Sequence, residues 1–572
     1  MIDQRQIQLL EEQKNLLSEL IFFEKLQIPV WRSRTATYVE YGKYVNYTPW
    51  ETMRVGQVYD IRYDEARWFE ADVTVPESMA GKRLVLELSL GGEALVSVNG
   101  EPMCGVTFFY ELIRGNVLPR TRVDLTDKGV PGTVYHISIQ TNLNYKDFYK
   151  GSRYNVYADD NHQRYTMQYA FLGAVDEVSE SLVLDLENLL LVAESYKKIT
   201  NQTLNGETNF RYTHLEDQRA LLQDTRDNAL YEGVQNAMRA CYDRIPFFSS
   251  AKEMRKAVPG ATKALHDALK KLPKYDQGEV TVSGFAHMDI VWLWEEKHTV
   301  RKVANTFLNA LQLIDRYPEY VFTFSQPYTY EMMEKHCPAL FEKIVGRVKD
   351  GHIDPIGNLW VEMDTNIASG ESIIRQLLYG RAYQLEKFGR DSRVFFMPDS
   401  FGYPASLPQI ICRSGIEYFY TNKLYTNELY RFPHTFFLWQ GIDGTRVKSY
   451  LMRVGYNGRV NPTRLSETIL CNENKAFANK GYLTFGYGDG GGGAEYKMLE
   501  SCRRFKDLPG VPKVKQGKLE SFLDEVYKPL RGLTTEDARK AGVPIWDDEL
   551  YLDRHRGTFT TMGAIKKLNR RA

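Results

Sequence analysis

The sequence has no excess of charge of either sign: its 73 Lys and Arg are matched by 73 Asp and Glu. No net field therefore draws the chain toward nucleic acid or an anionic membrane. It has no uncharged apolar stretch of the roughly 18 residues needed to span a bilayer. Its first twenty residues, MIDQRQIQLLEEQKNLLSEL, are charged throughout and lack the apolar centre of a secretion signal. These absences predict a soluble, cytoplasmic protein with neither a membrane nor a nucleic-acid partner, and the balance suits a neutral, polar small-molecule substrate. Cysteine is sparse. Six residues (Cys104, Cys241, Cys337, Cys412, Cys471, Cys502) lie scattered with no C-x-x-C pair, which argues for reduced thiols in the core and against a disulfide framework.

At 572 residues the chain exceeds what one hydrophobic core organises, so several domains are expected. The 37 Tyr and 8 Trp leave many rings free to stack, sugar faces being one partner. Helix-like apolar spacing at Ile7, Leu10, Leu16, Leu17 and Leu20 predicts a helical lead-in, taken as 1–49. Over 50–185 short alternating runs (RWFEADVTV, RLVLELSL, EALVSVNG, VYHISIQTNL) between Gly, Pro and Asn-Gly predict an antiparallel β-sandwich of jelly-roll type. A helical period returns over 186–275 and predicts a helical connector. From 276 to 572 apolar strands alternate with helices, which predicts an α/β, barrel-like catalytic domain built on a parallel sheet. In such sheets ligands gather at the carboxyl ends of the strands, and the conspicuous residues fall there.

In GFAHMDIVWLWE (284–295) an apolar strand delivers His287 and Asp289 two positions apart, so both point the same way. An imidazole and a carboxylate from one strand end make half of a zinc site, although H-x-D alone is as readily a structural ion pair. In RVFFMPDSFGYPASLPQI (393–410) a strand ends at Pro398 and exposes Asp399, either as a functional acid or as the cap of the next helix. WVEMDTNIASGES (360–372) offers Trp360 as an apolar platform, with Glu362 and Asp364 as hydroxyl acceptors or as a plain solvated loop. FGYGDGGGGAEY (485–496) lets the backbone pass close to a ligand and leaves Asp489 uncrowded. It lacks the G-K-[ST] of a phosphate loop. WDDELYLDRHRGTFTT (546–561) is acidic and aromatic and ends in His555, Arg556 and Gly557. It reads equally as a pocket wall or as structure.

Taken in order, A-H-M-D-I-V-W-L-W, W-V-E-M-D, M-P-D-S-F-G-Y-P-A-S-L-P-Q-I, F-G-Y-G-D-G-G-G-G and E-L-Y-L-x-x-H-R-G-T-F-T-T resemble glycoside hydrolase family 38 α-mannosidases, nearest the cytosolic and bacterial branch. That branch also carries an N-terminal sandwich. The resemblance implies that His287 and Asp289 are zinc ligands and that Asp399 is both a third ligand and the catalytic nucleophile of a retaining hydrolase. It places the acid/base near Asp489. Trp292, Trp360 and Asp364 are taken as the sugar-binding wall. Zn²⁺ is the implied cofactor and mannose-containing oligosaccharides are the implied substrates, with homo-oligomers common in the family. The family's fourth ligand is a His in a downstream H-D motif within a helical bundle that β domains follow. After Thr561 only MGAIKKLNRRA remains, and no His follows His555. The resemblance therefore implies a chain that stops before that ligand, with His555 the one nearby substitute. Two other readings stand beside it: a catalytically incomplete carbohydrate-binding fragment, and a metal-dependent deacetylase with His and Asp at barrel strand ends.

Overall fold

The computed structural model describes residues 4–107, 120–143, 162–205, 225–274, 277–427, 429–530, 532–555 and 563–571. Helix α1 (Gln4–Ser18) buries Ile7, Leu10 and Leu17, while Leu16 is exposed. The helical lead-in stops there. Alternating side chains such as Trp31 and Ser33, buried between exposed Val30 and Arg32, draw residues 22–45 into the sandwich. The sandwich therefore begins well before residue 50, and it ends at Val175, where helix α2 (Glu177–Asn205) starts.

Its strands are β1 (Phe22–Gln27), β2 (Val30–Glu40), β3 (Lys43–Val45), β4 (Glu51–Arg54), β5 (Val58–Arg62), β6 (Glu65–Thr74), β7 (Leu84–Ser89), β8 (Glu93–Val98), β9 (Glu101–Val106), β10 (Arg122–Thr126), β11 (Val134–Asn142), β12 (His162–Thr166) and β13 (Tyr169–Val175). One sheet runs β1-β13-β7-β10. The other runs β3-β2-β6-β11-β8-β9, with β4 also on β2, and β5 pairs with β12. Helices α2, α3 (Thr225–Tyr242) and α4 (Ala251–Leu269) follow, α4 opened by a capping box at Ser250 and Glu253. Their apolar faces share one core with the catalytic domain, whereas the sandwich keeps its own.

The catalytic domain holds two five-stranded sheets. The first is all parallel: β14 (Glu279–Phe285) carries β21 (Lys480–Phe485) on one edge, and β22 (Lys513–Gln516) then β15 (Phe322–Phe324) on the other, with β16 (Ile353–Pro355) beyond β15. The second runs β17 (Val394–Met397), β18 (Tyr418–Thr421), β20 (Arg446–Leu451), β19 (Phe436–Gln440), β23 (Ile545–Trp546). Here one strand departs from the expected parallel order: β19 is antiparallel to β20. The five residues Gly441–Thr445 between them suffice for a hairpin and not for a crossover. Among the described residues no helix is long and apolar enough to cross a membrane.

Sandwich and catalytic domain meet along helix α5 (Glu296–Arg316), whose first turn carries His298, wholly buried. Its Nε2–H donates to Asp64 Oδ1 at 2.9 Å and its Nδ1 accepts from Arg301 at 2.7 Å, while Tyr38 stacks on the ring and Tyr63 and Lys297 close the surround. Both ring nitrogens are used as a neutral imidazole uses them. Burial, supported by the Arg301 and Lys297 charges against the pull of Asp64, lowers its pKa from 6.5 to about 4. Between those values the unfolded chain takes up a proton that the folded one refuses, so stability falls with pH across that window. A shift of this size corresponds to roughly 3 kcal/mol. Denaturant unfolding from pH 6.5 to 4 should show the native protein losing about that much relative to His298→Gln, which keeps an acceptor and a donor but does not titrate. Parallel pH curves would remove His298 from the account.

Candidate active site

Six strands deliver one side chain or more from their carboxyl ends to a single buried pocket. His287 and Asp289 follow β14, Glu362 follows β16, Asp399 follows β17, Lys423 follows β18, Tyr456 follows β20 and Asp489 follows β21. The turn after β14 is pinned to the glycine-rich loop. Asp289 N donates to Asp489 O at 2.8 Å, and Met288 bridges Gly490. The fit needs Gly488, because a Cβ there would stand 2.8 Å from His287 N and 2.3 Å from Asn457 Oδ1.

His287, Asp289 and Asp399 each offer one ligand atom, all within 4.8 Å of one another. His287 Nε2 lies 3.3 Å from Asp289 Oδ1 and 3.4 Å from Asp399 Oδ2. Its other nitrogen, Nδ1, faces Glu362 Oε2 at 3.5 Å, and neither of these buried atoms has a closer partner. Glu362 is in turn fixed by Ser325 Oγ (2.7 Å) and through its amide by Gln326 Oε1 (3.0 Å), whose own amide nitrogen donates to Met288 O (2.8 Å). A carboxylate behind the ring leaves the front nitrogen as the free donor, the arrangement that orients metal-binding histidines. One imidazole and two carboxylates form a donor set that zinc accepts. Among the described residues, the four carboxyls face only Lys423 and His287 as cations, a surplus a divalent ion would offset. The residues fit a metal.

Electrostatics differ sharply from one carboxyl to the next. Asp399 is largely buried, yet Lys423 Nζ at 2.6 Å from its Oδ1, with His287 beside its Oδ2, outweighs burial and holds it well below the usual carboxylate range. Burial pushes Asp289 up to about 6, with Asp399 and Asp489 adding to the rise and His287 opposing it. Burial likewise pushes Glu362 up to about 7, against His287 and the Ser325 hydroxyl. His287 is held well above its ordinary value despite burial, first by Glu362 and then by Asp289 and Asp399.

Asp489 takes a left-handed backbone (φ 61°) and its Oδ1 accepts from Asn457 Nδ2 at 2.9 Å and faces Tyr456 OH at 3.1 Å. The same hydroxyl lies 2.6 Å from Asp399 Oδ2. One phenol therefore joins the two acids.

The other expected site residues are engaged in contacts of their own. Trp292 packs edge-on to Trp294 against the sandwich core, which also takes up Leu293 and Trp294. Trp360 sits between Tyr328 and Tyr383, both 5.7 Å away. Asp364 Oδ1 accepts from the amides of Asn366 and Ile367, an Asx turn that holds its own loop. Glu362, expected to meet hydroxyls, backs His287. His555 is exposed and stacks on Phe401 at 4.9 Å, outside the donor group. Residues 556–561 of its motif lie outside the described residues. Sequence reasoning misses Lys423, Tyr456 and Asn457; their signal is weak, a polar residue two to six positions past an apolar strand in TNKL and VGYNG.

Parallel strands that bring carboxylates and a histidine together at their carboxyl ends define an α/β domain with a candidate metal centre. Two family models match: the glycosyl hydrolases family 38 N-terminal domain over residues 277–549, and the α-mannosidase jelly roll domain over 24–170. Residues 277–549 form a glycosyl hydrolases family 38 N-terminal domain, preceded by an α-mannosidase jelly roll domain. Alpha-mannosidase 2C1 of Homo sapiens is 31% identical over 509 residues, 88% of this chain and 44% of that protein. Alpha-mannosidase G of Dictyostelium discoideum is 37% identical over 295 residues, 51% of this chain and 26% of that protein. The alpha-mannosidase of Saccharomyces cerevisiae is 34% identical over 310 residues, 52% and 28%. The chain spans less than half the length of these relatives.

If Glu362 sets the His287 tautomer, Glu362→Gln should weaken zinc binding by about 10–100-fold in competition with a chromophoric chelator, while the thermal midpoint of the metal-free protein changes little. Equal zinc affinity in both proteins would show that Glu362 does not act through His287.

Proposed function

We propose that this chain carries the catalytic domain of a metal-dependent, retaining α-mannosidase acting on terminal α-D-mannosides of mannose-containing oligosaccharides. The observation that carries the reading is the Asp399–Tyr456–Asp489 contact. A retaining glycosidase needs a nucleophile and an acid/base about 5–5.5 Å apart, and contacts of 2.6 Å and 3.1 Å to one hydroxyl bring the facing oxygens of Asp399 and Asp489 into that neighbourhood. A single phenolic proton cannot serve both acids. The Tyr456 hydroxyl lies 2.6 Å from Asp399 Oδ2 and 3.1 Å from Asp489 Oδ1, so it can donate to either acid and holds the two side by side.

In the first step an Asp399 carboxylate oxygen forms a bond to C1 of the mannose as the C1–O bond to the leaving group breaks, and Asp489 passes its proton to the departing oxygen. Lys423, paired with the other Asp399 oxygen, keeps the carboxylate ionised and aimed. In the second step Asp489 takes a proton from water as that water attacks C1 and the ester to Asp399 breaks, so configuration is retained. His287, Asp289 and Asp399 would hold the zinc, which when bound supplies a Lewis-acid anchor for the C2 and C3 hydroxyls and so favours the axial C2 hydroxyl of mannose. Trp360 and Asp364 remain candidates for the outer wall only as parts of a loop that other contacts already fix.

The test is release of nitrophenol from an aryl α-mannoside by the 572-residue chain with and without added zinc, beside Asp399→Asn. Zinc-dependent turnover that falls by several orders of magnitude in the variant is expected, and a fluorinated mannosyl inactivator should leave its mass on the Asp399 peptide. A label on another residue, or full activity in Asp399→Asn, would overturn the assignment. Hydrolysis of an N-acetyl group without glycoside cleavage would make the site a deacetylase.

A further inference from the structure

The glycine-rich loop that carries Asp489 is not held by its own strand alone. Its middle is gripped by helix α5 at two points. Thr306 Oγ1 accepts from Gly492 N at 2.9 Å, and Asn309 Nδ2 donates to Gly492 O at 3.1 Å. Gly491 lies so close that a Cβ would stand 2.4 Å from Thr306 Oγ1, and its backbone is left-handed at φ 77°. Helix α5 is in turn gripped by the sandwich. Asn309 Oδ1 accepts from Gly105 N of β9 at 2.8 Å, and the buried Lys302 ammonium donates to buried Glu93 of β8 at 2.9 Å. Further along the loop, Arg120, just before β10, reaches Ala494 O at 3.4 Å.

Asn309 is 1% exposed and its amide bridges the two domains. The orientation is dictated by chemistry: Gly105 N–H only donates and Gly492 C=O only accepts, so the amide oxygen must face the sandwich and the amide nitrogen the loop. From Gly492 the loop has three residues to travel to Asp489, whose carbonyl binds Asp289 N and whose carboxyl meets Tyr456. The sandwich main chain, Asn309, the loop and the acid are thus in series.

Resting on the mannosidase reading above, we propose that Asn309 is a positioning residue through which the sandwich domain sets the proton-donating geometry of Asp489. The sandwich is then a working part of the hydrolytic centre. An acid displaced by a fraction of an ångström loses its hold on the leaving oxygen, and misplacement on the 1 Å scale costs about 10²-fold. The loss must depend on the leaving group, because an acidic phenol departs without a proton and an alcohol does not.

The experiment compares kcat/KM, which reports the glycosylation step, for dinitrophenyl and methyl α-mannosides in the zinc-loaded chain and two variants. Asn309→Asp can still accept from Gly105 but faces Gly492 O with a second acceptor. Gly105→Ala acts from the sandwich side alone, placing a Cβ 3.0 Å from Asn305 Cβ and 3.5 Å from Asn309 Nδ2. Expected is a loss of about 100-fold on the methyl glycoside and under about threefold on the dinitrophenyl glycoside for Asn309→Asp, with the same asymmetry at smaller size for Gly105→Ala. Amide hydrogen exchange over 486–494 should quicken in both variants while helix α5 stays protected. Equal losses on the two glycosides, or no loss, would overturn the proposal, as would unchanged loop exchange. If the unaltered chain cleaves neither glycoside, the mannosidase reading fails, and the exchange measurement alone then decides whether Asn309 fixes the loop.

Discussion

Repulsion among carboxylates is the constraint around which the catalytic half is arranged. Asp289, Glu362, Asp399 and Asp489 converge in one pocket, and two unit charges about 4 Å apart there repel by roughly 4 kcal/mol even at an effective dielectric near 20. The structure answers with one cation per side. Lys423 neutralises Asp399 from the β18 side, and His287 stands between Asp289, Asp399 and Glu362. Tyr456 and Asn457 supply the neutral donors that let Asp489 sit beside Asp399 without a further charge. The result is a pair of acids, Asp399 and Asp489, within hydrogen-bonding distance of one phenol, which is the raw material of acid–base chemistry at a sugar.

Much of this was legible because strand ends are legible. An apolar run that stops at Asp399, or that ends His-x-Asp, announces where a parallel sheet presents side chains, and the structure puts those ends together. What pattern reading misses is the identity of neighbours. Lys423 and Tyr456 matter through residues 24 and 57 positions away in the chain, and nothing in TNKL or VGYNG states which strand end they will face. Aromatic residues misled for a related reason. Trp292 follows a ligand motif and looks like a sugar platform, yet the three-residue stretch Trp292, Leu293, Trp294 is apolar enough to be taken up by the sandwich core. Asp364 illustrates the same limit at short range, where an Asx turn competes for a carboxylate that the pattern alone leaves free.

The start of the sandwich at Phe22 is hidden in the sequence for a physical reason as well. Residues 22–45 alternate, but they follow directly on a helix whose apolar spacing dominates any window that spans both, and the charges of Glu24, Lys25, Arg32 and Arg34 on the exposed face dilute the strand signal. The antiparallel β19 was hidden by local similarity: a buried run such as FFLWQ looks the same whether its partner runs with it or against it, and only the short link to β20 decides.

The segment 286–295 shows how closely the two halves of the molecule depend on each other. Within ten residues it places His287 and Asp289 in the site and Leu293 and Trp294 in the core of the other domain, and helix α5, which starts immediately after it, is held to the sandwich at Asp64, Glu93 and Gly105. A loop anchored at one end by a catalytic sheet and at the other by a foreign core has little freedom of its own. Loosening the sandwich therefore reaches the ligand motif and the glycine-rich loop together, since Asp289 and Asp489 are themselves joined through the main chain. The sandwich is not a passenger on the α/β domain: removing it would strip Trp294 of the apolar core that covers it and take Glu93 from the buried Lys302 before it touched any residue of the site.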